Sequence, residues 1–385
     1  MISEAAVCGQ AAAPMEGLML ELLGQAAGFP AEQPVLAEGD FYPKESPPGY
    51  EFLDDEPSFD PAVHLQLEQP EKIWTMADLG YSERVISRFP SRIALTSPAR
   101  ILSKEGAATL EAISKRLQPY IRHRPNSPRV AAALRGTTFR SRFIRDLCLS
   151  ADVTDFFSQM FGTPLMPHTV THHQGHMNYA PLNLEQQVDS WHHDSTALDY
   201  VLMVHNPREL KGGRFEVFLG TREEGAALLK AHGDVPRDRV YTPDFPDAGY
   251  ACYMQGAAVY HRASRLEERG FRASVVQSYV SRDVRFPDTN RFYYSAMDES
   301  ADPNSMLERN VSLVEWAKHR AWMSRAKLGW IIENMPFTES TESAIAQLEA
   351  AVVDVNDFIE TVKAGRMSMA EAMARRAALD AAQTA

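Results

Sequence analysis

Hydrophobic positions fall along the chain in three textures. Up to about residue 75 they are sparse. Leu18, Leu22 and Leu23 suit a short helix, but the following DFYPKESPPGYEFLDDEPSFDP is too rich in Pro, Asp and Glu to build a core. The acidic run Asp54 to Glu56, followed by Pro57, reads as a solvated loop. From about residue 95 the period becomes helical. Ser103 is placed to cap a helix in which Leu110, Ile113, Leu117 and Ile121 recur at steps of three and four. The stretch FRSRFIRDLCLSADVTDFFSQMFG, with Phe143, Leu147, Val153, Phe156 and Phe157, predicts more helix, ending at Gly162.

Between about 164 and 295 the pattern shortens into β-rich runs: LMPHTVTHH, DYVLMVHN, GRFEVFLG, ACYMQGAAVYH and ASVVQSYVS. Gly and Pro punctuate them, and Lys211-Gly212-Gly213 reads as a hairpin turn. Many short strands with turn signals predict a barrel or a sandwich. Helix returns from about 305. Ile345, Leu348, Val352, Val355, Ile359 and Val362 are spaced 3, 4, 3, 4, 3, an a/d seam of nearly three heptads. Such a seam suits a helix packed on its own domain or, alternatively, a subunit contact that would make a homo-oligomer through the C-terminal helix. The organisation expected is an N-terminal extension over 1–94, a core over 95–300 with helices before strands, and a helical extension over 301–385. No repeat of solenoid length is present.

Composition narrows the class. Of 385 residues, 44% are hydrophobic and 23% charged, which is ordinary globular usage. The net charge of −12 disfavours non-specific binding to nucleic acid or anionic membrane and leaves only a local basic groove open to such partners. No apolar run approaches the roughly 18 to 20 residues that span a bilayer. Cys8, Cys148 and Cys252 are far apart and form no C-x-x-C pair, which fits a reducing cytoplasm. The first basic residue is Lys44, so neither a secretory signal nor a transit peptide is expected at the N-terminus.

The chemistry concentrates in Trp191-His192-His193-Asp194, read with His261 and Arg272. In an extended segment His192 and Asp194 point the same way, roughly 7 Å apart at the backbone, and His193 points away. An imidazole and a carboxylate on one face can converge on one metal ion, with His261 from another strand as third ligand. Two His and one carboxylate on one side of a metal is the non-haem Fe(II) arrangement. Zinc suits it less, because catalytic zinc sites usually keep one open position. Arg272 follows His261 by eleven residues, across a turn containing Gly270, so it falls on the next strand. A guanidinium there suits an anionic co-substrate, and Ser274 lies on the same face. His172, Gln174, His176 and Asn178 alternate along one strand and share a face as the wall of a polar pocket.

The ordered set His192, Asp194, His261, Arg272 and Ser274 resembles the H-x-D…H…R-x-S pattern of the Fe(II)/2-oxoglutarate-dependent dioxygenases. HQGHMNYAP resembles the H-Q-x-x-x-N strand of their phytanoyl-CoA hydroxylase-like branch, ectoine hydroxylases in particular. His176 stands where a Lys is usual there, which argues against ectoine as substrate. The resemblance covers roughly residues 95 to 295. It implies an all-β core with helices, a double-stranded β-helix (jelly-roll or cupin-like) flanked by N- and C-terminal helical segments. It also implies Fe(II) on His192, Asp194 and His261, with 2-oxoglutarate and O₂ as co-substrates. Arg272 and Ser274 would take the distal carboxylate and Asn178 would support the chelating end, with Gln174 nearby. Related halogenases replace the carboxylate ligand by Gly or Ala, so Asp194 favours hydroxylation of an unactivated C–H bond of a small molecule (an amino acid, acyl or natural-product intermediate), or a desaturation or ring-forming variant, with release of succinate and CO₂. The competing expectation is a cupin-like metal-binding protein without turnover that acts through its helical tail. Arg140, Arg142, Arg214 and His176 are the side chains expected to meet an acidic substrate.

Overall fold

The computed structural model describes residues 34–39, 42–43, 46–124, 127, 129–286, 288, 290, 303–364 and 374. The helix expected at Leu18 to Leu23, and Cys8, lie outside them. Seven strands precede the site region: β1 (Ile73–Thr75), β2 (Ile93–Thr96), β3 (Ala99–Arg100), β4 (Arg122–His123), β5 (Ala132–Leu134), β6 (Leu165–Pro167) and β7 (His176–Tyr179). Then come β8 (Asp189–His192), β9 (Leu198–Met203), β10 (Phe215–Phe218), β11 (Val240–Tyr241), β12 (Tyr250–Met254), β13 (His261–Ala263) and β14 (Ala273–Ser281). They form two antiparallel sheets. The large one runs β1-β2-β12-β9-β14-β7-β5-β4, with β3 beside β12 and β6 beside β14; the small one runs β11-β10-β13-β8.

From β8 onward the chain crosses repeatedly from one sheet to the other, which is the winding of a double-stranded β-helix-like core. The Gly212-Gly213 turn is one of its corners. Both residues are left-handed (φ 76° and 64°), but the turn passes the chain from β9 in the large sheet to β10 in the small one, so it closes no hairpin. The strands also begin earlier than residue 95, because β1 and β2 already belong to the large sheet.

Eight helices lie among the described residues: α1 (Pro61–His64), α2 (Glu83–Ile86), α3 (Lys104–Arg116), α4 (Arg142–Cys148), α5 (Ala151–Phe161), α6 (Arg222–His232), α7 (Pro303–Asn334) and α8 (Thr341–Lys363). Side-chain alternation assigns the two faces of the large sheet. Tyr200, Leu202, Val275 and Tyr279 join Leu110 and Ile113 of α3, Phe143 and Leu147 of α4, and Phe157 of α5 in one core. Phe157 stacks on Tyr279 at 5.1 Å between centroids and meets Tyr253 edge-on at 4.6 Å. The other face turns Val201, Met203 and Val276 toward Phe215 and Val217 of the small sheet.

Local chemistry sets the helix ends. Ser103 Oγ accepts from the Gly106 amide at 3.0 Å, as a cap should, but α3 stops at Arg116 because Pro119 follows; Ile121 lies beyond it. The stretch expected to run on to Gly162 is two helices. Ser150 caps the second by accepting from the Val153 amide, and Gly162 ends it in the left-handed region (φ 65°). Glu56 is not merely solvated. It accepts from Ser141 Oγ at 2.6 Å and from the Arg142 amide at 2.5 Å, and so sits at the N-terminus of α4.

α7 lies against the barrel. Its Glu315 accepts from the Thr171 amide at 3.0 Å, Ser312 bonds His172 Nδ1 at 2.8 Å, and His319 bonds Thr169 Oγ1 at 2.7 Å. α8 packs back on α7, but not by its hydrophobic seam. Ala350, Ala351, Gln347 and Thr361 are buried, whereas Ile345 and Leu348 are 51% and 47% exposed. Small side chains let α7 come close, so the seam is turned outward. No described helix is long and apolar enough to cross a membrane.

Candidate active site

The geometry of this candidate metal site follows from one strand register. β8 and β13 are neighbours in the small sheet, and His192 is paired directly with His261. Directly opposed residues share a face, so the imidazoles meet with centroids 4.2 Å apart. Asp194 lies two residues past His192, beyond the end of β8, where its amide donates to the Gly256 carbonyl at 2.8 Å. Its Oδ1 is 3.4 Å from His192 Nε2 and its Oδ2 is 3.5 Å from His261 Nε2. One ligand atom from each of the three lies within 4.8 Å of the others, and among the described residues no second such group of His, Cys, Asp or Glu occurs.

Protonation is set by the surroundings. His192 Nδ1 is 2.6 Å from the Ser190 carbonyl, and His261 Nδ1 is 3.0 Å from that of Val259. A carbonyl only accepts, so each Nδ1 carries the proton and each Nε2 lone pair faces Asp194. Burial, with His192 close beside it, holds His261 down at about 4, so its ring is neutral at physiological pH. Burial alone would push the Asp194 carboxyl up; His261, His192 and Arg129 outweigh it and hold it well below the ordinary range. Arg129 Nη2 donates to Asp194 Oδ1 at 3.0 Å, and its Nε faces Asp189 Oδ1 at 3.3 Å. This donor set fits a divalent ion bound from one side, the fit expected for iron.

Arg272 stands across the same cavity, just before β14. It is 2% exposed, and burial lowers it only to about 10, so it is a buried cation at neutral pH. Its Nη1 donates to Ser274 Oγ at 3.0 Å and to the Asn178 carbonyl at 3.2 Å, and its Nε to the Gly213 carbonyl at 3.4 Å. No carboxylate of the described residues pairs with it, and both hydrogens of Nη2 are unused. Asn178 Oδ1 and His176 Nδ1 are likewise buried without a partner, and both residues line the cavity. Buried polar atoms are nearly always satisfied, so two such atoms in one cavity with the Arg272 guanidinium mark a place for a polar ligand. The cavity with its mouth holds about 620 Å³ of unfilled space.

Gln174 is placed elsewhere. The strand expected to include residue 172 begins at His176, because residues 171 to 173 form a 3-10 turn and Gly175 is left-handed (φ 56°). Gln174 donates to the His168 carbonyl at 2.6 Å and faces a separate cavity lined by Tyr42 and Phe139. His172 is held by Tyr50 and Ser312, outside the wall that His173 and His176 help to form. Arg140, Arg142 and Arg214 do not line the cavity, whereas Arg129 and Arg135 do. Trp191 turns away, stacked on Tyr260 with Nε1 on Asp234 at 2.7 Å. Asp199 was not anticipated. Burial and then the Asp194 charge push its carboxyl well above the ordinary range, and it accepts from Thr196 Oγ1 at 2.8 Å.

The chain is similar in structure to Fe(II)/2-oxoglutarate enzymes. The non-heme alpha ketoglutarate dependent epimerase SnoN from nogalamycin biosynthesis is 15% identical, over 57% of this chain and 91% of that one, with a TM-score of 0.38. EctD from S. alaskensis with bound Fe is 18% identical, over 62% and 86%, with a TM-score of 0.38. The non-heme monooxygenase ThoJ in its nickel complex is 12% identical, over 63% and 99%, with a TM-score of 0.38. No family model and no curated protein matches the chain.

Proposed function

We propose that the protein is a non-haem Fe(II)/2-oxoglutarate-dependent oxygenase that hydroxylates an unactivated C–H bond of a small molecule. The observation that carries this reading is the pairing, in one cavity, of a one-sided His192–Asp194–His261 donor set with the buried, carboxylate-free Arg272. A zinc hydrolase or an inert metal-binding protein would have no task for that guanidinium.

His192 and His261 would hold the ion through Nε2 and Asp194 through its carboxylate. When bound, Fe(II) supplies the activation of O₂ that is coupled to decarboxylation of 2-oxoglutarate to succinate and CO₂. Arg272 grips the distal carboxylate of the keto acid with the free Nη2 hydrogens. Ser274 Oγ already accepts from Arg272, so its own hydrogen is left to donate to the same carboxylate. Asn178 steadies the other end. With Asp194 retained, its carboxylate would take the position that a halide would need, which favours hydroxylation.

Anaerobic addition of Fe(II) and 2-oxoglutarate should give a visible charge-transfer band, and admitting O₂ should yield succinate. A substrate panel should then show a product heavier by one oxygen. Asp194→Ala should abolish both the band and the succinate; undiminished succinate from that variant would refute the assignment.

A further inference from the structure

One row of the large sheet borders the proposed co-substrate row and has no task yet. β5 pairs with β7 so that Ala133 is opposite Asn178 and Leu134 is opposite Met177; Arg135 follows just past the end of β5 and lines the same cavity as His176. On the other side of β7, β14 sets Ser274 opposite Asn178 and Val276 opposite His176, and β9 sets Val201 opposite Val276. Opposed residues share a face. Asn178 and Ser274 therefore make one row, and His176, Val276 and Val201 make the next, with Arg135 at the cavity wall just past the end of β5. All six line the cavity. With Arg135, the second row is cationic and polar at one end and apolar at the other.

His176 is 9% exposed, with its buried Nδ1 unpartnered. Burial keeps its imidazole well below its usual range, and the charge of Arg135 lowers it further, so the ring is neutral and the wall around it is positive. A neutral imidazole beside a guanidinium offers a second N–H to one oxyanion.

We propose that the primary substrate carries an oxyanion, held by Arg135 and His176, with its hydrocarbon part lying over Val276 and Val201. This rests on the oxygenase reading of the site and adds the substrate class. The shared chemistry, a carboxylate or a phosphate, is what the row recognises. Four matched probes separate the sources and the control: hexanoate, pentylphosphonate, hexanamide and 2-oxoglutarate itself.

Binding is measured by calorimetry on the full chain, without oxygen, with Mn(II) as a redox-silent ion and saturating 2-oxoglutarate. At least one anion should bind about tenfold tighter than hexanamide, the discrimination of one charge-assisted bond. Arg135→Gln should bring that ratio to within roughly twofold, Arg135→Lys should retain most of it, and both should leave 2-oxoglutarate affinity within about twofold. His176→Ala should lower the ratio without removing it. Preference for hexanoate names a carboxylate substrate, and preference for pentylphosphonate names a phosphate ester. Equal binding of hexanamide, no binding of either anion, or an unchanged ratio in folded Arg135→Gln overturns the proposal. Failure of 2-oxoglutarate to bind overturns the oxygenase reading instead, and the anion preference is then scored on the Mn(II) protein alone.

Discussion

Gly256 shows how tightly single positions are specified around the metal ligands. A Cβ there would stand 2.7 Å from Asp194 Oδ2 and closer still to Asp199 Oδ2, distances that real Cβ atoms essentially never show. Its carbonyl also receives the Asp194 amide. Gly256→Ala should therefore displace the carboxylate and weaken Fe(II) binding about tenfold or more in an anaerobic titration. Arg272→Ala should act differently. It should weaken 2-oxoglutarate far more than iron, and equal losses of the two would contradict its role. At this scale the sequence was most legible where spacing alone fixes geometry: His192 and Asp194 two apart, His261 and Arg272 separated by a turn. Alternation does not carry Gln174 into the same wall as His176, because the left-handed backbone of Gly175 breaks it. Arg129 and Arg135 gave no signal. What recruits them is strand pairing across the sheet, which no local pattern encodes.

Among elements, α7 offers a titration to test. Burial raises Glu315 from 4.5 to about 7 even though Thr171 donates to it. Between those two values the folded chain keeps a proton that the unfolded chain has released. Stability from this group therefore falls as pH rises from 4.5 to 7, by about 3 kcal/mol in all. Glu315→Gln carries no such charge, so its unfolding free energy relative to the wild type should climb between pH 5 and pH 8; a flat difference would show that the buried carboxylate is not what titrates. α8 gives the opposite kind of test. Ile345→Ser with Leu348→Ser should change Tm by only a degree or two, since both side chains already face outward, whereas Ala350→Leu should destabilise by roughly 1 to 3 kcal/mol. The heptad of α8 was readable, but the face it would bury was not. Helix packing here is decided by how closely α7 approaches, and small residues outrank large ones at that contact.

Across the whole molecule, acidity and site are opposed. The chain carries a net charge of −12, yet the cavity wall sets Arg129, Arg135, Arg262 and Arg272 against Asp189 and Asp194. A basic interior in an acidic body selects anions that fit over anions in general. The class of the core was legible from many short strands in sequence. The division of the strands between sheets was not, because it depends on corners such as Gly212-Gly213 rather than on the strands. That division has a mechanical outcome. The three proposed metal ligands belong to the small layer or to the β8–β9 connection that leaves it, whereas Arg272, Ser274 and Asn178 belong to the large one. A keto acid held at both ends would rivet one layer to the other. At about a thousand times its dissociation constant it should add roughly 4 kcal/mol to unfolding. Heat tolerance would then track the supply of that metabolite, and a starved enzyme would melt before a sated one.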